Sequence, residues 1–146
     1  MCFVKAAYYK KLNSIQLLDI IEVVDVGTPI NRMTVAGQLE GGIAQGVGYA
    51  LYEKLETNPR SKRPYTTDLL HYRIPQMGDM PRTWVDMVDS YEPYGALGAK
   101  SVGELATVPV APAIVNAAAH ASGQELSSIP LCEKFVILPS RKAEQL

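Results

Sequence analysis

Charge imbalance is the first thing this sequence lacks. Its 14 Lys and Arg nearly match its 15 Asp and Glu, for a formal net charge of −1. Such a balance leaves no electrostatic footprint for nucleic acid or for an anionic membrane surface. The one basic cluster, Arg60, Lys62 and Arg63, sits between Pro59 and Pro64 and reads as a solvated loop. Cysteine is scarce too: Cys2 and Cys132 lie at opposite ends, with neither metal-ligand spacing nor a disulfide framework. The expectation is a reducing compartment and a cytoplasmic location. No apolar run approaches the ~20 residues of a membrane helix, and the opening stretch with Lys5, Lys10 and Lys11 lacks the apolar centre of a signal peptide. The two histidines, His71 and His120, have no Cys, Asp or Glu at ligand spacing, so no metal site is expected from them. Internal repeats and low-complexity stretches are absent.

What remains is an ordinary globular balance, 47% hydrophobic and 20% charged over 146 residues. That length fits one domain, able to bury roughly 70% of its unfolded surface. Residues 15–26 are rich in β-branched side chains and stop at Gly27, which predicts a strand. Residues 2–9 form a weaker strand, and Asn13-Ser14 supplies turn chemistry for a hairpin between them. After the turn Thr28-Pro29-Ile30-Asn31, Thr34 offers an N-cap hydroxyl. Val35, Leu39, Ile43, Val47 and Leu51 then recur every fourth position, the stripe of a helix to about Lys54. A short extended piece at 69–74, a strand at 84–88 with Trp84 in the core, a helix from Pro109 or Pro112 to Gly123, and a last strand at 135–138 complete the reading. The expected fold is α+β: a mixed sheet with two main helices, near 34–54 and 110–121, in a single domain over 1–146 whose residues 139–146 form a polar, mobile tail.

Two segments carry candidate chemistry. The first is Gly95-Ala-Leu-Gly-Ala-Lys-Ser-Val-Gly-Glu104, with three glycines, one lysine and one carboxylate. Glycine lets a backbone approach a ligand and present its amides, Lys100 could neutralise an anion, and Glu104 could act as a general base in a dry site. A plain turn with a surface glutamate is the simpler account on composition alone, and the spacing is not that of a phosphate-binding loop. The second is the helix itself, which holds Gly37, Gly41, Gly42, Gly46 and Gly48. Each glycine costs up to ~1 kcal/mol against alanine in a helix interior. Close approach of a neighbouring backbone or a ligand would offset that cost. Gln38 and Gln45, seven residues apart, share a face and could offer amides to a polar ligand or simply reach solvent. Asp19, Glu22 and Asp25 show no paired-carboxylate spacing.

In combination the segments resemble the molybdenum-cofactor-binding subunit of the xanthine dehydrogenase/aldehyde oxidase family, in its C-terminal portion. The resemblance rests on Asp25-Val-Gly-Thr-Pro-Ile-Asn31, on the glycine-rich run from Val35 to Glu53, on Tyr72-Arg-Ile-Pro with Asp79-Met-Pro81, on Gly98-Ala-Lys-Ser-Val-Gly-Glu104, and on Pro112-Ala-Ile-Val-Asn-Ala117. It covers about residues 18–138, with five motifs in order; the first ~17 residues fit poorly, and Ser101 stands where glycine or alanine is common.

The resemblance implies roles for particular residues. Glu104 takes the place of the catalytic base. Lys100, Ser101, Val102 and Gly103 line the cofactor, and the Gln38 amide hydrogen-bonds it. The implied cofactor is a molybdenum-pterin, and the implied reaction is oxidative hydroxylation of an N-heterocycle or an aldehyde with water as the oxygen source. Electrons would leave through iron–sulfur clusters and FAD on other domains or subunits. The chain is short for such a subunit. It is therefore expected to be a fragment or small subunit that pairs with the remaining part of the molybdenum subunit and binds no cofactor tightly alone. The alternatives are a catalytically silent structural or interaction remnant and, against the intact Gly98–Glu104 motif, an unrelated small α+β ligand-binding domain. An apolar surface exposed by separation from a parent would favour a partner or a homo-oligomer.

Overall fold

The structure is a computed structural model, and it describes residues 1–140. The expected mobile tail falls almost wholly on residues 141–146, outside the described residues. Pro139 and Ser140, where it begins, are tied down: the Pro139 carbonyl accepts from Gln16 Nε2 at 2.9 Å, the Ser140 amide donates to the Gly78 carbonyl at 3.0 Å and the Ser140 hydroxyl to the Asp79 carbonyl at 2.8 Å.

Four strands, β1 (Cys2–Tyr9), β2 (Ser14–Asp25), β3 (Arg82–Val88) and β4 (Val136–Leu138), form one mixed sheet. β1 and β2 are the predicted hairpin, turned at Asn13 in the left-handed conformation that asparagine tolerates. β3 and β4 share the opposite edge of β2, both parallel to it. β3 pairs with residues 19–25, whereas β4 pairs with residues 14–16. Parallel neighbours need a crossover, and the two helices, α1 (Arg32–Leu51) and α2 (Thr107–Ser122), lie in those connections.

Both helices pack on one face of the sheet. Along β2 the residues Ile20, Glu22 and Val24 point toward them and are buried, while Ile21 and Asp25 are exposed on the other face. Ile20, Ile43, Val47, Val110 and Ile114 have no exposed surface, and burying each such side chain contributes roughly 1.5–3 kcal/mol. A smaller cluster, Val24, Val26, Leu39 and Ala106, with Val102 packed against it, closes the end of the domain where the candidate loop lies. Gly42 and Gly46 set how closely α1 and α2 approach: a Cβ on Gly42 would stand 2.7 Å from the Ala106 Cβ, and one on Gly46 would stand 2.5 Å from the Val110 Cβ.

Several expectations need correction. The N-cap of α1 is Asn31, not Thr34. The Asn31 side chain accepts from the Met33 and Thr34 amides at 3.1 and 3.2 Å, and Thr34 donates its hydroxyl back to the Asn31 carbonyl. The helix ends at Leu51 rather than Lys54, because the Tyr52 and Glu53 amides both turn back to the Gly48 carbonyl. Residues 69–74 form a turn followed by irregular backbone, not a strand. α2 begins at Thr107, so Pro109 occupies its first turn and Pro112 lies inside. The Val108 carbonyl that Pro112 cannot serve belongs to an exposed residue, so its missing donor costs little. Trp84 is 50% exposed rather than in the core. It lies in a cross-strand row with Ile21 and Phe3 on the outer face of the sheet, which no described segment covers.

Candidate active site

The loop between β3 and α2 is held against two elements. Its first part adds to the segment that leaves β2: the Thr28 amide donates to the Gly98 carbonyl at 2.8 Å, and the Lys100 amide to the Val26 carbonyl at 2.9 Å. Gly98 adopts φ +79°, and a Cβ there would meet the Tyr91 ring at 2.5 Å, so the position needs glycine. Side chains reinforce the junction. Asp25 Oδ2 accepts from Lys100 Nζ at 2.6 Å, and its Oδ1 accepts from Ser90 Oγ at 2.5 Å and from the Gly27 amide at 3.0 Å. The Lys100 ammonium, then the Ser90 hydroxyl and the Gly27 amide, hold the Asp25 carboxyl well below the usual carboxylate range. The anion that Lys100 neutralises inside this chain is thus Asp25.

The second part of the loop meets α1. Gln38 Nε2 donates to the Gly103 carbonyl at 2.8 Å, a contact across 65 residues of sequence that brings together two segments singled out separately. Val102 packs into the small core beneath. Glu104 is exposed and lies beside Thr107, whose hydroxyl is 3.3 Å from Glu104 Oε2 and 3.1 Å from Gln45 Oε1. One hydroxyl proton serves only one of these acceptors at a time. Gln38, Gln45, Gly103, Glu104 and Thr107 therefore form one continuous surface at the edge of α1. Asp25, Ser90 and Thr107 were not visible as site residues, since their partners lie 75, 65 or 62 residues away or are uninformative hydroxyls in sequence.

The surface can accept a large polar ligand. Gly37 and Gly41 have nothing within 4 Å of the place a Cβ would take. Unlike Gly42 and Gly46, they serve no contact within the described residues, and they leave bare backbone beside Gln38. Nothing donates to Gln38 Oε1 among the described residues. Among the described residues the Ser101, Val102, Gly103 and Glu104 amides donate to nothing, so the loop presents free donors along an exposed edge. Gly103 at φ +41° gives that edge its bend. An acceptor, a run of amides and a side-chain-free cradle suit a molybdenum-pterin, whose ring edge carries both donors and acceptors.

Residues 3–81 match the family described as the molybdopterin cofactor-binding domain. This chain belongs to that family. Members of it carry the α1 region in common with this chain, and the match ends before the loop that bears Glu104. The chain is 37% identical over 115 residues to the putative xanthine dehydrogenase molybdenum-binding subunit XdhA of Escherichia coli K12, covering 79% of this chain and 15% of that protein. It is 28% identical over 130 residues to the aldehyde oxidoreductase molybdenum-binding subunit PaoC of the same organism, covering 88% of this chain and 18% of that one. Among solved structures, quinoline 2-oxidoreductase from Pseudomonas putida 86 superposes with a TM-score of 0.77 at 30% identity, over 85% of this chain and 16% of that chain. The aldehyde oxidoreductase of Desulfovibrio desulfuricans superposes with a TM-score of 0.76 at 26% identity, over 90% and 15%. The chain spans about 15% of the length of the first curated relative. The molybdopterin-binding family and the mixed-sheet, two-helix fold expected from the sequence both stand. No described helix is long and apolar enough to cross a membrane.

Proposed function

We propose that this chain is a fragment or small subunit of a molybdenum hydroxylase that oxidises an N-heterocycle or an aldehyde with water as the oxygen source, and that Glu104 is its base. The observation that carries the reading is the Gln38–Gly103 hydrogen bond of 2.8 Å, which sets the loop of Glu104 beside the bare backbone of Gly37 and Gly41. When bound, a molybdenum-pterin supplies the oxidising centre and the electron sink. Gln38, through its Oε1, and the amides of residues 101–104, with the backbones of Lys100, Ser101, Val102 and Gly103, would hold its edge. A Glu104 carboxylate oxygen would take the proton from the oxygen nucleophile as the new C–O bond replaces the substrate's C–H bond, whose electron pair the oxidising centre would accept. When Thr107 donates to Oε2 rather than to Gln45, the other carboxylate oxygen is left for that transfer.

Glu104 is open to water in this chain, and a base of this kind works best where water is excluded. The remaining part of the molybdenum subunit would supply that cover, with iron–sulfur and flavin subunits taking the electrons. The share of the relatives' length that the chain spans supports this. Self-association through the outer sheet face fits the same reading, as does a cytoplasmic location with both cysteines free. The exposure of Glu104 equally favours a second reading, a catalytically silent interaction remnant of the domain. In a reconstituted complex, Glu104→Gln should abolish turnover while molybdenum content stays nearly unchanged; turnover that survives removes Glu104 from the role of base. The chain purified alone should hold no stoichiometric molybdenum, and a monomer that does so overturns the fragment reading. A complex that never turns over with wild-type Glu104, despite full molybdenum loading, selects the silent remnant.

A further inference from the structure

Lys100 lies four residues before the proposed base, yet its ammonium turns away from the open loop edge and into a closed set of contacts. Asp25 Oδ2 takes it at 2.6 Å, Ser90 Oγ accepts from it at 3.2 Å, and Ser90 in turn donates to Asp25 Oδ1 at 2.5 Å. Asp25 Oδ1 also takes the Gly27 amide. One carboxylate thus fastens three segments: the exit of β2, the segment after β3, and the loop before Glu104. The Asp25 and Lys100 side chains are 45% and 34% exposed. An ion pair this open adds little to global stability, so the convergence of bonds on one carboxylate calls for another explanation.

We infer that Asp25 is a positioning residue, which through Lys100 and Ser90 holds the loop of Glu104 in register with α1. The inference rests on the reading of Glu104 as the base. The backbone bonds Thr28 to Gly98 and Lys100 to Val26 are edge bonds in a loop and open locally unless something clamps them. The Asp25–Lys100–Ser90 triangle joins the same two segments, at the residue before Val26 and at Lys100 itself, and is that clamp. From residue 100 to the Gly103–Gln38 contact there are only three residues, so a shift of several ångströms at Lys100 is transmitted to Glu104.

The test is amide hydrogen exchange on the full chain, comparing wild type with Asp25→Asn, Lys100→Met and Lys100→Arg. Asn keeps an acceptor for the Gly27 amide and removes the charge. Met removes the ammonium, whereas Arg retains a cation. Exchange at the Thr28 and Lys100 amides should rise at least tenfold in Asp25→Asn and Lys100→Met. Amides in the middle of α1 and β2 should keep wild-type rates, and Lys100→Arg should restore most of the protection. The proposal is overturned if the Thr28 and Lys100 amides keep wild-type protection, if every amide accelerates together, or if Met and Arg behave alike. Should Asp25→Asn fail to fold, the Met and Arg pair decides. In the reconstituted complex the same two damaging variants should lower kcat about tenfold with KM within twofold. A Glu104→Gln complex that stays active would defeat the assignment of the base, while the exchange result would still judge the clamp.

Discussion

Glu22 should make this domain lose stability as pH rises from about 4.5 to 7. The residue is on the inward face of β2 with no exposed surface, and neither carboxylate oxygen has a hydrogen-bond partner among the described residues. Its neighbours Ile20 and Val24 are core residues. The charged group that acts on it is the Met1 ammonium, which donates to the Val23 carbonyl at 2.7 Å, while the Cys2 thiol is paired across from it on β1. Burial pushes the Glu22 carboxyl up from its ordinary 4.5 to about 7, and the ammonium offsets this only in part. The Cys2 thiol, itself pushed up to about 11 by burial, stays neutral throughout that range. The folded chain therefore keeps the proton to about pH 7, whereas the unfolded chain releases it near 4.5. Protonated Glu22 contributes its full stability below pH 4.5, and that stability is lost as pH rises through 7. At about 1.4 kcal/mol per tenfold change in proton affinity, the loss is on the order of 3 kcal/mol. Urea unfolding at half-unit steps from pH 4 to 8.5 measures it. Glu22→Gln is the control, because the uncharged amide carries a desolvation cost that does not change with pH, and the titrations of groups remote from it cancel between the two proteins. Wild type should lose about 3 kcal/mol more than Glu22→Gln across the window, equivalent to a Tm difference of roughly 10 °C for a chain of this size. Parallel pH profiles for the two proteins would refute the argument.

The helix glycines should divide by position. Gly46→Ala places a methyl against Val110 and should cost about 1–3 kcal/mol of unfolding free energy by overpacking. Gly41→Ala meets nothing and should gain up to ~1 kcal/mol in the free chain, while lowering molybdenum content in the reconstituted complex. Two stabilising or two destabilising results by urea unfolding would show that the spacing of α1 and α2 is misread. Asn31→Ala leaves the Met33 and Thr34 amides without their acceptor and should cost about 1 kcal/mol. If Thr34→Ala cost more, the cap would belong to Thr34 after all.

Local features were legible because they are written in neighbouring residues. The β-branched run of β2, the fourfold stripe from Val35 to Leu51, the Asn13 turn and the Gly123 stop of α2 all appear in the structure. The misplaced features are those that depend on what lies opposite. Trp84 reads as core because aromatic residues in strands usually are, yet periodicity shows only that a face is apolar, not that anything covers it. Thr34 and Asn31 are both capping residues, and the choice between them is made by where the chain enters the helix. Glu22 reads as one acid among three until β1 and the helices close over it.

The sequence alone therefore determined the family, the order of the elements and the two segments that carry the candidate site, because glycine placement and apolar spacing are local constraints on the backbone. Only the tertiary structure decided which glycines touch α2 and which stand open, that Gln38 reaches Gly103, and that Lys100 answers to Asp25 75 residues away. Those outcomes depend on packing the helices against a four-stranded sheet, and no pattern within a single segment encodes the distance between two surfaces.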